Sequence, residues 1–145
     1  MPPFVLRPTH AWIASAALAL SAVLPLPAAA QAQGGPTGPI PQQGMNDMAL
    51  AAAVNVCELA VEEKVPVQKS VLSNAKAMTY VVTNVYGSQV AGAGRLTAEQ
   101  IANGSIVQVV GRVRQGCYDK LTAADKKFID DILAEVNRAV QSQGR

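Results

Sequence analysis

Histidine and tryptophan are almost missing from this sequence. The one histidine, His10, and the one tryptophan, Trp12, both stand close to the start. If that start is a cleaved leader, as argued below, the rest of the chain has no imidazole and no indole. Cysteine is scarce too, with only Cys57 and Cys117. A zinc site needs about four nitrogen or sulfur ligands, so two thiols without imidazole cannot build one. The two cysteines are sixty residues apart, which excludes a C-x-x-C redox motif. Basic excess is absent as well. Without Arg7, the 12 Lys and Arg residues exceed the 10 Asp and Glu residues by a single charge. Nucleic acid would require a clustered basic face, and an anionic membrane surface is equally disfavoured. No cofactor is expected.

The catalytic patterns that remain are fragments. Ser73 and Lys76 match S-x-x-K, in which a lysine one helical turn away activates a serine. The companion S-D-N and K-T-G motifs are missing. Glu62 with Glu63, and Asp130 with Asp131, are adjacent pairs. Neighbouring side chains on a helix point apart, so neither pair converges as acid and base. "SQVAGAGR" (Ser88–Arg95) is the nearest thing to a phosphate cradle. It completes no G-x-G-x-x-G and precedes no Lys-Ser or Lys-Thr, so it reads as a flexible loop. Asn103-Gly104-Ser105 is formally a glycosylation sequon and reads here as a turn.

What is present is an exported helical domain. Residues 1–30 hold Arg7, an apolar run from Ala11 to Pro27, and small residues at Ala28 and Ala30. A basic start, apolar centre and A-x-A end make a signal peptide, cleaved after Ala30 or, in a second register, after Ala32. The run is short for a bilayer span of about 20 residues, and Pro25 and Pro27 end it. No membrane span is expected once it is removed. No cysteine follows that could carry a lipid. The chain is expected to be periplasmic or secreted.

Residues 31–44, rich in Gly, Pro and Gln, read as a disordered linker. Residues 45–145 then form one small domain. Its pattern is all-α, a bundle of four to five helices. The first helix, capped by Asn46 or Asp47, carries Leu50, Val54, Cys57 and Val61 on one face, at steps of four, three and four. The second starts near Pro66 and carries Val71, Ala75, Met78, Val82 and Val85. Its stretch 78–86, β-branched and aromatic, also fits a strand. Thr97 and Gln100 form a capping box for the third. Gly104 can end that helix early and start another, with Ile106, Val109, Val110, Val113 and Cys117 inward. Thr122 and Asp125 start the last, with Phe128 or Ile129, Ile132, Val136 and Val140 inward. Lys127 with Asp131, and Glu135 with Arg138, are spaced to meet outside. Arg112, Arg114, Lys120, Lys126 and Lys127 are the densest positive region, but acidic residues interleave with them. Tyr80, Tyr86 and Tyr118 are candidates to line a groove, and Tyr118 to pack over the cysteine.

Export to an oxidising compartment leaves Cys57 and Cys117 each with a single partner, so they are expected to form a disulfide. A loop of that length gives the bond about 4 kcal/mol as an upper figure.

"LTAEQIANGSIVQVVGRVRQGCYDKLTAADKKFIDDILAEV", with "VCELAVEEKVPVQKSVL" upstream, resembles an uncharacterised family of small exported cyanobacterial proteins. A cAMP phosphodiesterase label is associated with some members. The resemblance thus implies a small hydrolase, although the metal-dependent class of that chemistry uses a histidine-rich dinuclear centre. The architecture also resembles small periplasmic acid-stress chaperones. No functional residue carries over from either. The residues themselves favour a non-enzymatic protein that binds an unknown protein or small molecule through a groove between helices.

Overall fold

The computed structural model describes residues 38–143. The expected signal peptide and residues 31–37 of the expected linker lie outside them. Four α-helices follow one another: α1 (Gln42–Val61), α2 (Val67–Val85), α3 (Ala98–Gly116) and α4 (Ala123–Gln143). A two-stranded hairpin, β1 (Gln89–Val90) and β2 (Gly94–Arg95), joins α2 to α3, and a 3-10 turn (Tyr118–Lys120) joins α3 to α4. The all-α expectation therefore holds, and the stretch 78–86 is helical up to Val85, with Tyr86 as the C-cap. Thr79 and Thr83 fit there by donating their hydroxyls to the carbonyls of Ala75 and Thr79, at 2.8 Å each.

The helix starts follow local chemistry. At α3 the Thr97 side chain accepts from the Gln100 N–H at 3.1 Å, and the Gln100 side chain accepts from the Thr97 N–H at 2.9 Å. At α4, Thr122 Oγ1 accepts from the Asp125 N–H at 3.2 Å. Asp125 has a second task. Its carboxylate also accepts from the Val67 N–H at 2.9 Å. Pro66, at the start of α2, makes no side-chain cap of its own. A negative group borrowed from α4 therefore satisfies an orphan donor at a helix N-terminus, where the dipole favours it.

α1, α2 and α3 pack mutually, and α4 lies on α3 and α2. The connections are short, so α2 runs against α1 and α4 against α3. α1 and α3 run the same way, and their ends meet at Cys57 and Cys117. The core is made of small and branched side chains. Val56, Val67, Val71, Val82, Val109, Val110, Val113, Ile40 and Ile129 are fully buried.

Several expectations are corrected. The linker does not extend to residue 44. Ile40 is buried, its N–H donates to the Gln89 carbonyl, and its carbonyl accepts from the Ala91 N–H, at 2.9 Å each. α1 begins just after it, so Asn46 and Asp47 lie inside the helix and cap nothing. The "SQVAGAGR" stretch is the hairpin rather than a flexible loop, and Gly92 and Gly94 supply its positive φ of 82° and 75°. Gly104 does not end a helix. α3 runs through it unbroken, so the sequon lies on a helix rather than a turn.

A further correction concerns α1. Its buried residues are Met45, Ala49, Ala52, Ala53, Val56 and Ala60. Half of the stripe expected inside is left outside, with Leu50 52% and Val54 60% exposed, while Cys57 and Val61 are half-buried against the core. α1 is apolar nearly all round, so periodicity offers two faces. The alanine face wins because small side chains let α2 and α3 approach closely. Smaller departures occur on α4. Val140 is exposed, and Arg138 donates to the Ala134 carbonyl rather than meeting Glu135. Lys127 and Asp131 do pair, at 2.7 Å.

Candidate functional site

α4 fills the groove between α2 and α3. Among the described residues, no helix fills the corresponding groove between α1 and α3. Its floor and one wall are Leu50, Ala53, Val54, Cys57 and Val61 of α1, with Gly116 and Cys117 closing it. The space is about 400 Å³. Glu58 and Glu62 stand on the α1 edge, and Arg112 and Lys120 on the opposite edge. None of these four forms an ion pair among the described residues. Arg112 instead donates to the Asn46 side chain at 3.3 Å, which bridges α3 to α1.

The sulfurs of Cys57 and Cys117 are 2.05 Å apart, at disulfide distance. They form part of the groove wall. A Cβ placed on Gly116 would lie 3.8 Å from the Cys57 sulfur, so the glycine brings α3 close at this point without being sterically required. The stripe of larger residues on α1 is what marks this surface. The sequence signal for it, the four-three-four spacing, was legible; its meaning was not, because the same spacing describes a buried face.

The other candidates are dispersed. Ser73 and Lys76 are both exposed on α2 and line no part of the groove. Tyr80 is 68% exposed on α2, and none of the three tyrosines lines the α1–α3 groove. Tyr118 belongs to a charged cluster. Its hydroxyl donates to the Asp130 carboxylate at 2.6 Å, and Arg114 pairs with the same carboxylate. The Arg114 guanidinium lies 5.1 Å and the Lys126 ammonium 5.5 Å from the centre of the Tyr118 ring. The hydrogen bond from Tyr118 holds the Asp130 carboxyl below its ordinary range, with Arg114 adding to it. The same bond raises the Tyr118 phenol. This cluster fastens the 3-10 turn to α4 and balances its own charge, as the interleaved sequence implied.

Among the described residues, no group of three or more His, Cys, Asp or Glu side chains is placed to hold a metal. No described helix is long and apolar enough to cross a membrane. The fold and groove define a small disulfide-tied helical domain with an open apolar surface. Residues 43–144 match the family described as Domain of unknown function (DUF8650), and the chain belongs to that family. No curated protein and no solved structure matches the chain.

Proposed function

We propose that this is an exported, non-enzymatic interaction protein that binds its partner through the α1–α3 groove. The observation that carries the reading is the exposure of Leu50 and Val54, at 52% and 60%, on a helix whose buried face is already formed by Met45, Val56 and four alanines. Large aliphatic side chains turned outward together, beside a face that the core already fills, mark a surface kept for a partner. Export is supported by the leader pattern of residues 1–30 and by a cysteine pair at bonding distance, which fits an oxidising compartment. The hydrolase reading draws no support from Ser73 and Lys76, which are exposed on α2 and line no part of the groove.

The experiment is a photo-activated cross-linker at Val54 in the producing cell, with Tyr80 as the control on α2. A defined adduct from Val54 alone is the expected result. Adducts from Tyr80 and none from Val54 would overturn the groove as the site. Export is checked by the mass of the native protein, expected to begin at Gln31 or Gln33. A native chain that retains Met1 contradicts it.

A further inference from the structure

We infer that the occupant of the groove is α1 of a second copy of this chain, in a two-fold antiparallel pair. The inference rests on the groove being the interaction surface and names what fills it. Three observations carry it.

The first is spacing. Leu50 and Val54, exposed, and Cys57 and Val61, half-buried, recur at four, three and four residues, the spacing of a seam between two packed helices. The pattern is symmetric about its own midpoint. Laid antiparallel on itself, it sets Leu50 against the partner's Val61 and Val54 against the partner's Cys57. A two-fold interface requires this self-complementarity.

The second is charge. One edge of the groove carries Glu58 and Glu62, the other Arg112 and Lys120, and none is spent on an ion pair. A second helix lying in the groove has both edges beside it. If that helix is α1 of another copy, its Glu58 comes level with Ala53, in the stretch of the groove that Arg112 borders. The symmetry makes the same contact twice. A parallel pairing would instead set Glu58 against the partner's Glu58, which like-charge repulsion disfavours.

The third is the fold itself. α4 covers one groove of the three-helix core and leaves the equivalent one open. A helix from a second copy would cover α3 on its other side, as α4 does on the first.

The test is sedimentation equilibrium of the full exported chain, with circular dichroism to confirm that each variant keeps its helices. A dimer at tens of micromolar is expected. Leu50→Asp with Val54→Asp should leave a folded monomer. Glu58→Lys alone and Arg112→Glu alone should each weaken association roughly tenfold, the scale of a rim charge contact at about 1.4 kcal/mol per decade. The two together should restore it. A chain monomeric up to hundreds of micromolar, a dimer indifferent to Leu50 and Val54, or a charge swap without rescue each overturns the inference. The Val54 adduct separates the two proposals. A monomeric chain cross-linked to a different protein retains the groove as the site and rejects the second copy. A monomeric chain with no adduct rejects both.

Discussion

Asp125 and Tyr118 show how single side chains hold this molecule together. Asp125 was legible as a capping residue of its own helix, three places after Thr122. Its bond to the Val67 N–H was not, since nothing in the local pattern says that the start of α2 lies there. Asp125→Ala should cost about 1 kcal/mol, as for the loss of a capping side chain, while Asp125→Asn costs less because its amide oxygen still accepts. Urea unfolding measures both. Tyr118 and Asp130 make stability pH-dependent in a stated direction. The Asp130 carboxyl is lowered in the fold from an ordinary 3.8, chiefly by the Tyr118 hydroxyl. Its contribution is thus fully present above that value and fades as pH falls through the folded one. The Tyr118 phenol is raised from 10.0, so its share is present below that pH and fades above it. Wild type should therefore exceed Tyr118→Phe in stability by a constant margin through neutral pH. That margin should narrow on acidification below the ordinary Asp value. A margin that widens in acid would contradict the bond.

At the scale of the element, the helix starts at Thr97 and Thr122 were readable because capping is local chemistry. The face of α1 was not. Ala, Val and Leu surround that helix, and only tertiary packing decides which side is buried. The hairpin was not legible for a related reason. Its third strand partner, Ile40, sits fifty residues away in a Gly- and Pro-rich stretch that reads as linker. Ile40→Ala should destabilise by about 2–4 kcal/mol, the cost of truncating a fully buried isoleucine, whereas a linker residue would cost nothing. Gly104 tests the continuity of α3. A Cβ there meets nothing within 4 Å. Gly104→Ala should stabilise the chain by about 0.5–1 kcal/mol through helix propensity, read as a rise in the urea midpoint. A loss of stability would mean that the helix does break at that point.

Across the whole molecule, the disulfide and the groove meet at one place. The cysteine pairing was legible from two thiols in a chain with an export pattern. The groove was not, because it depends on α4 choosing the α2–α3 side of the core. Cys57→Ser should lower stability by about 2–4 kcal/mol, and reducing agent should do the same to the native chain. Insensitivity to reductant would mean that the bond is not formed. The central claim concerns the open face beside that bond, and hydroxyl-radical footprinting in intact cells tests it directly. Leu50 and Val54 should be labelled severalfold less in the cell than in the dilute purified chain, while Leu72 and Tyr80 on α2 are labelled equally in both. Equal labelling of all four residues in the two settings would show that nothing covers the groove, and would contradict the account.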